Sequence, residues 1–311
     1  MLNVTEADSG GYSERKIRRS HILKDLFYFS FALPAIAYVF ILAIVPAGSA
    51  ILFSFFKYDT HTLTLSNYYA LPGIGIYGAI VDTAVVSIGA LLIQLFFALF
   101  LASLMMKPFK GNKLFSLLVI IPFGVSTVVS AYVFSLIFQA FGGFANGFVM
   151  LFKPLFLALG LKGIATHGID WFANKWSSLG VVMFSDFWKN TPLIALILYG
   201  GMSSLSPSMY EAAAVDGAGP LRRFFYITLP NIAPLMAVAL IIRGVSEFNI
   251  FALPLVIIGY SPKLLNTLIY EYYPLAITRP WAYSASVVLL VIIMAFAAIV
   301  LYLGGAPKNG Q

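Results

Sequence analysis

Cysteine is absent from this chain of 311 residues, and charged residues are scarce, at 10% of the total. The lack of cysteine excludes disulfides, thiol catalysis and cysteine-ligated metal sites. A soluble domain carries roughly 25% charged residues and roughly 45–50% apolar residues. This chain has 60% hydrophobic residues and a mean hydropathy of +0.92, so it falls outside that class. The composition therefore predicts an integral membrane protein.

Recognisable catalytic and cofactor motifs are also missing. No G-x-x-x-x-G-K-[ST] pattern occurs, which excludes ATP binding through a P-loop. The segment Gly73-Ile-Gly75-Ile-Tyr-Gly78 fits the letters of a dinucleotide site, but no βαβ pattern surrounds it and no acidic residue follows at the required distance. The three histidines lie apart, without a second ligand at metal spacing. These are His21, His61 and His167. We therefore expect no metal, and no cofactor bound by this chain.

Six apolar runs are long enough to cross about 30 Å of hydrocarbon, which takes roughly 20 helical residues. They cover residues 26–56, 83–106, 114–138, 176–202, 230–258 and 281–303. The first run is too long for the apolar region of a cleaved signal peptide, so we expect it to be retained. The predicted fold class is an all-α membrane protein with about six transmembrane helices. The transmembrane region covers 26–303, with polar tails at 1–25 and 304–311.

Basic residues in the loops predict the orientation of these helices in the membrane. With the amino terminus inside, eleven loop and tail Lys or Arg residues lie on the cytoplasmic side and six on the other. Lys189 and Arg243 lie within spans and complete the 19. Both termini are therefore predicted to be cytoplasmic, and the net charge of +7 needs no nucleic-acid partner. The external loop 139–175 is apolar at 146–161, which suits it either to lie on the membrane surface or to cap the bundle.

The cytoplasmic loop 203–229 has an unusually regular pattern. Ser208-Met-Tyr-Glu211 fits a capping box that begins a short helix, and Asp216-Gly217 predicts a turn after it. A second short helix is predicted from Ala218, and Pro230 is predicted to open the next span. The apolar stripe of that second helix consists of Leu221, Phe224, Phe225 and Thr228. A helix-turn-helix at the inner face, with small side chains and two carboxylates, indicates a contact surface for another protein.

Ten positions among twenty in this loop form a specific pattern. They are Glu211-Ala212-Ala213, Asp216-Gly217-Ala218, Phe224, Ile227 and Leu229-Pro230. The pattern resembles the EAA loop of permease subunits of ATP-binding-cassette importers. The wider chain resembles the maltose-type carbohydrate permeases at Leu33-Pro34, Ser54-Phe55, Asn67-Tyr68, Pro122, Gly142, Asn146, Pro207 and the segment 248–251. It departs from that pattern at Asp82, at Asn249 and in the segment 259–262, which bears on the solute more than on the fold.

The resemblance implies a membrane-spanning subunit of an ATP-driven importer in the cell membrane of a prokaryote. Its implied partners are two cytoplasmic ATPase subunits, a second homologous permease, an extracytoplasmic solute-binding protein and the lipid bilayer. ATP and Mg²⁺ would bind to the ATPase subunits, so this chain is not expected to be an enzyme. A sugar or oligosaccharide is the expected solute. Another polar solute such as glycerol phosphate or a polyamine is the alternative, and a self-contained secondary transporter is the alternative of a different class.

The resemblance also implies that the loop inserts into a cleft of an ATPase subunit and transmits its closure to the spans. The implied docking residues are Tyr210, Glu211, Ala212, Ala213, Asp216, Gly217, Ala218 and Phe224. Two of them have a simpler interpretation, because Glu211 could only close the capping box and Asp216 could only shape the turn.

Ionisable side chains inside the predicted spans form a second group of candidates. Asp186, Lys189 and Asn190 share one helix face near mid-membrane, and Arg243 and Glu247 lie one turn apart on the next span. Charges at that depth face a bundle interior or a water-filled cavity. They either line the solute path or form neutralising pairs within each span that hold the helices together. Further candidates for the path are Gln94, Ser130 and Asn249.

Overall fold

Helices account for the regular structure of this protein. A computed structural model describes residues 29–60, 62–161, 163–164 and 168–304. Within these ranges there is no strand, and β pairing is limited to an isolated bridge between Phe56 and Leu63. The 1–25 tail, nearly all of the 304–311 tail and the three histidines lie outside the described residues. In chain order the helices are α1 (Phe29–Ser54), α2 (Ser66–Ala70), α3 (Ile76–Met105), α4 (Asn112–Gly124), α5 (Thr127–Ile137), α6 (Phe144–Leu151), α7 (Lys153–Ala158), α8 (Lys175–Ser203), α9 (Pro207–Val215), α10 (Pro220–Phe248), α11 (Ala252–Ile258), α12 (Leu265–Tyr272) and α13 (Arg279–Leu303).

The fold class predicted from the apolar runs is confirmed. In the described part of the chain, α1, α3, α8, α10 and α13 are each long and apolar enough to cross a membrane. The bent pair formed by α4 and α5 supplies a sixth span if the two helices are counted together. The structure therefore has the helices of a multi-pass membrane protein.

The third predicted span is broken, so the prediction of one helix over 114–138 is wrong. The axes of α4 and α5 differ by 95°. Val125 and Ser126 between them are extended, with ψ of 135° and 138°. Pro122 in the last turn of α4 weakens the helix near its end, because proline cannot donate the backbone hydrogen bond to the preceding turn. Hydropathy does not register this break, since both extended residues lie within an apolar run.

The fifth predicted span, over 230–258, is wrong at both ends. α10 begins at Pro220, because a π-helical turn at Phe224–Thr228 precedes Pro230 and widens the helix where the proline ring would otherwise meet a carbonyl. Pro230 therefore lies inside a helix, whereas the sequence pattern predicts that it begins one. At the other end α10 stops at Phe248, and α11 starts only at Ala252 after a non-helical link.

Small buried residues let the central helices approach closely. Ala98 and Ala102 of α3 pack with Ala195 of α8 and Ala239 of α10 in one core cluster. Such small residues are typical of helix contacts in membranes. Lipid tails are as apolar as the helix surfaces, so helices associate through close packing of their backbones and not through a hydrophobic driving force. At a crossing between α10 and α13, Gly244 lies so close to the Phe296 ring that a Cβ atom there would clash.

Polar side chains close the turn that follows α1. Ser54 Oγ and the Tyr68 hydroxyl lie 2.8 Å apart. The Asn67 side chain is buried and donates to the carbonyls of Ser54 and Phe56, both at 2.9 Å. The Leu265 amide donates to Thr83 Oγ1 at 2.8 Å and ties α12 to α3. These bonds satisfy backbone groups that would be costly to leave unpaired in an apolar bundle.

Candidate functional site

The first helix of the loop begins two residues earlier than the predicted capping box. Ser206 is the N-cap of α9, and its Oγ accepts from the Ser208 amide at 3.3 Å. Pro207 occupies the first helical position, where its fixed φ and missing N–H suit the helix start. The third helical position is then Met209, which has no acceptor for the reciprocal bond of a capping box. The predicted capping box is therefore wrong, and Glu211 is left exposed on α9.

The turn after α9 is a Schellman motif, at the position where Asp216-Gly217 predicts a turn. Gly217 has a φ of +75° and its amide donates to Ala214 O at 3.1 Å. The Ala218 amide donates to Ala213 O at 2.9 Å. This pair of bonds satisfies the last carbonyls of the helix and requires a left-handed residue, which glycine supplies at little cost. Asp216, just before it, is exposed.

The second arm of the loop is the beginning of α10, so the prediction of a separate short helix is wrong. Arg223 Nε donates to Ala218 O at 2.7 Å, and the Tyr210 hydroxyl lies 3.0 Å from Thr228 Oγ1. Phe224 packs against the core cluster of α3, α8 and α10. Two members of the predicted apolar stripe, Phe224 and Thr228, face the protein. The other two, Leu221 and Phe225, are exposed, and so are Ala212 and Val215.

One helix connects this loop with the ionisable residues of the membrane interior. α10 has 29 residues, which corresponds to about 44 Å at 1.5 Å per residue. Its first turn belongs to the loop, and Arg243 and Glu247 lie in its last two turns. α10 therefore runs from the loop to these residues as one helix, with a π-helical turn at Phe224–Thr228 and a proline, Pro234, in its interior.

Arg243 lies at the centre of a buried charge cluster. Its Nη2 atom is 2.7 Å from both Asp186 Oδ2 and Glu247 Oε1. Gln94 Nε2 donates to the same two oxygens, at 2.6 Å and 2.7 Å, and Gln94 Oε1 accepts from Arg243 Nε at 3.2 Å. Asn190 Nδ2 donates to Asp186 Oδ1 at 2.8 Å. The cluster joins α3, α8 and α10, and its three ionisable side chains are all buried.

Of the two neutralising pairs considered as the alternative to a solute path, one is present. Arg243 and Glu247 pair as predicted, but the described residues contain no ion pair between Asp186 and Lys189. Asp186 binds Arg243 of another helix instead. The Lys189 ammonium lies 5.6 Å from the centroid of the Phe123 ring, where the ring face stabilises a cation. The spacing of residues along α8 could not reveal the contact between Asp186 and Arg243. Arg243 belongs to α10 and lies next to Asp186 only because the two helices pack together.

The remaining two candidates for the path lie outside the cluster. Ser130 is buried on α5, and its Oγ has no hydrogen-bond partner among the described residues. Asn249 is exposed just after α10 and donates to Val245 O at 2.8 Å. It lines a cavity of about 360 Å³ together with Asn266 and Ser286. These last two residues were not predicted from the sequence, because they are single polar positions without a distinguishing pattern.

A further ion pair, buried only at its carboxylate, was not predicted. Lys175 Nζ lies 2.6 Å from Asp82 Oδ1, and the side chains are 42% and 5% exposed. The pair joins the first residue of α8 to the second turn of α3. The sequence signal for this ion pair is Asp82, an aspartate near the start of an apolar run. By itself this residue indicates only a departure from the pattern of the maltose-type permeases. No cluster of three or more His, Cys, Asp or Glu side chains able to hold a metal occurs in the described ranges.

Membrane-spanning helices, a buried polar cluster and a tightly capped helix-turn-helix together define a helical membrane transport component. Residues 94–305 match the family described as "Binding-protein-dependent transport system inner membrane component". The chain belongs to this family. It is a permease subunit of an ATP-binding-cassette importer, and its role in the cell membrane is transport rather than catalysis.

Individual relatives and solved structures agree with this family. The chain is 28% identical over 207 residues to the trehalose/maltose transport system permease protein MalF of Thermococcus litoralis, covering 65% of this chain and 66% of that protein. It is 29% identical over 254 residues to the sn-glycerol-3-phosphate transport system permease protein UgpA of Escherichia coli O157:H7, covering 77% and 80%. It also resembles a chain of a bacterial alginate ABC transporter, solved with an alginate pentasaccharide-bound periplasmic protein, with a TM-score of 0.75, 20% identity and coverage of 91% and 96%.

Proposed function

We propose that this permease and a second homologous permease together form the path of a sugar or oligosaccharide, which an extracytoplasmic binding protein delivers. Two cytoplasmic ATPase subunits, which hold ATP and Mg²⁺, drive the cycle by binding to the cytoplasmic loop. The part of it that they contact is α9, the Gly217 turn and the first turn of α10, and it is called the 206–223 loop. The relative that transports trehalose and maltose supports a sugar, and the fold shared with the alginate transporter is consistent with one. The relative that transports sn-glycerol-3-phosphate favours glycerol phosphate as the second candidate solute.

The observation that carries this proposal is the continuity of α10 from the loop to the charge cluster. Glu211, Asp216 and Val215 are exposed around a glycine turn, where a partner can contact them. Behind them, the bond between Tyr210 and Thr228 and the packing of Phe224 fasten the loop to the bundle. A partner that moves the loop therefore displaces the beginning of α10 with it, and helix displacement is a common form of switching in proteins.

In this proposal the charge cluster holds α3, α8 and α10 together, and we call it the staple. Asp186, Arg243 and Glu247 are buried, and most of their polar atoms are already bonded within the cluster. A sugar has hydroxyl groups that need free donors and acceptors, and the cavity beside Asn249 offers amide and hydroxyl groups for this purpose. We therefore assign Asn249, Asn266 and Ser286 to the solute path, and Gln94 and Asn190 to the staple.

The proposal requires α2 and the 206–223 loop to lie on opposite sides of the membrane. Because the natural chain has no cysteine, single cysteines can report this directly. Ser66 and Ser208 are both exposed and suit substitution by cysteine. In intact cells a membrane-impermeant maleimide should label Ser66→Cys and leave Ser208→Cys unlabelled.

Permeabilised cells provide the control, because both cysteines should then react to a similar extent. Labelling of Ser208→Cys alone from outside would place the loop away from the ATP-hydrolysing compartment. That result would contradict the proposed coupling role of the loop.

A further inference from the structure

The outer part of the bundle carries an apolar surface that the proposed transport function does not use. Residues 127–158, which include α5, α6 and α7, contain one charged side chain, Lys153. Large apolar side chains are exposed along this stretch, including Tyr132, Leu136, Phe144, Phe148, Leu151 and Leu155. A continuous exposed apolar surface of this kind marks contact with another apolar phase or partner.

The depth of this surface in the membrane follows from the number of helical residues that precede it in α4 and α8. Phe123, at the end of α4, contacts Lys189 of α8 at 5.6 Å. Lys189 lies 14 residues beyond Lys175, the first residue of α8, which corresponds to about 21 Å along the helix. The 13 residues of α4 span about 20 Å, so α4 stops near mid-membrane.

After this point α5 turns by 95° and crosses the outer half of α8. The Phe134 ring of α5 lies 5.9 Å from the Phe184 ring and 5.4 Å from the Trp188 ring. Both partners belong to the half of α8 that starts at Lys175. The helices α5 to α7 therefore lie at the depth of one leaflet, which is the outer leaflet in the orientation proposed above.

Asn146 fixes α6 to the chain that leads into α8. Its side-chain nitrogen donates to Ala140 O at 2.8 Å and Ile169 O at 2.9 Å. Its side-chain oxygen accepts from the Ile169 amide at 3.0 Å and from Trp171 Nε1 at 3.2 Å. α6 is thus held in one position by a buried amide, while Phe144 and Phe148 remain exposed.

An apolar cleft of about 530 Å³ lies between α5 and α6. Its lining includes Val133, Ile137, Phe138, Phe144, Phe148 and Trp171. A second cleft of about 430 Å³ continues on the other side of Phe138 and Trp171 towards Gly180 and Phe184 of α8. Neither lining contains a charged side chain, so these clefts are unsuited to a polar solute.

We propose that α5, α6 and α7 form a lipid-binding element of the outer leaflet, and that the cleft between α5 and α6 takes a phospholipid acyl chain. The apolar surface of α5 to α7 continues the exposed surface of the broken span α4–α5. The exposed surface of a membrane span is the surface that contacts lipid. Trp171 combines an apolar ring with a bonded N–H, as is typical of membrane interfaces, and Lys153 can extend its ammonium to the headgroups. Through Asn146, the bound lipid holds the outer end of α8.

Brominated lipids test this placement. The full-length permease, purified with the subunits that accompany it, would carry a single cysteine labelled with bimane. The label lies either at Leu151→Cys, an exposed position of α6 that does not line the cleft, or at Val149→Cys in the cleft. Leu63→Cys, exposed in the connection between α1 and α2, is the aqueous control. In nanodiscs of phosphatidylcholine with brominated acyl chains, fluorescence at both α6 sites should fall by about twofold or more, because apolar interfacial segments are immersed among acyl chains. The control should be unchanged, and should instead be quenched by aqueous iodide.

Two results would overturn the proposal. Iodide quenching at Leu151→Cys without quenching by brominated lipid would place α6 in water. Protection of both α6 sites from both quenchers would mean that another protein chain, such as the second permease, covers the surface. A third result separates the two parts of the proposal, because quenching at Leu151→Cys alone supports immersion of α6 and overturns the acyl chain in the cleft.

Discussion

Replacement of Arg243 by methionine should lower the free energy of unfolding by about 3–5 kcal/mol, since removing one partner of a buried ion pair leaves the other charge uncompensated. Asp186 and Glu247 would then face each other in a bundle where both are buried. Gln94 alone would remain to bond the two carboxylate oxygens that Arg243 now shares. Thermal unfolding of the detergent-purified chain, followed by circular dichroism, measures the loss.

Two matched variants define the origin of this effect. Arg243→Met combined with Glu247→Met removes one charge of each sign, and should recover part of the lost stability because Asp186 keeps its bonds to Gln94 and Asn190. Lys57→Met breaks an exposed ion pair with Asp59, for which we expect little change in the unfolding temperature. If Arg243→Met were as stable as the natural chain but altered solute affinity, the cluster would line the solute path and would not be a staple.

Gly217→Val should reduce solute uptake and solute-stimulated ATP hydrolysis together, by on the order of tenfold, which is the effect of about 1.4 kcal/mol. Gly217 has a φ of +75°, a conformation that a β-branched side chain adopts only at a considerable cost. Apart from its two chain neighbours, no described residue has an atom within 4 Å of the position that a Cβ atom would take, so the cost is conformational and not a clash. The variant should still insert in the membrane and bind the second permease, since the turn is remote from the helix contacts of the bundle.

Gly219→Ala is the matched control for this variant. Gly219 lies two residues further on, has a φ of −66° that alanine adopts freely, and also has open space around it in the described part of the chain. It should transport normally. Full uptake by Gly217→Val, with the ATPase subunits bound at their usual ratio, would show that the shape of this turn does not couple ATP hydrolysis to transport.

Hydropathy was sufficient for the fold class because a bilayer requires long apolar helices and leaves little choice of architecture. It could not locate the break between α4 and α5, since Val125 and Ser126 interrupt the backbone without interrupting the apolar run. Pro122 was the available signal. The start of α10 was missed for the opposite reason, because Pro230 normally marks a helix start and here the π-helical turn accommodates it.

Local chemistry was more predictable than contacts between helices. The turn at Gly217 follows from an Asp-Gly pair after a helical segment, whereas the helix is capped by Ser206 and not by the predicted Ser208, because Pro207 fits the first helical position. The depth of Asp186 and Arg243 follows from their positions in apolar runs. Their pairing does not, because 57 residues separate them and only the packing of α8 against α10 brings them together. The role of Gln94 depends on the same packing, so the sequence indicated the residue without its role.

The central claim is that the 206–223 loop contacts the ATPase subunits, and cross-linking from the tip of that loop tests it most directly. Val215 is 89% exposed beside the Gly217 turn, and a single cysteine there can carry a benzophenone. Irradiation of membranes containing the assembled importer should join Val215→Cys to an ATPase subunit, with a yield that changes when ATP is added. The same label at Leu63→Cys should yield no ATPase product. An ATPase product from Leu63→Cys, or none from Val215→Cys in a fully assembled importer, would contradict the claim.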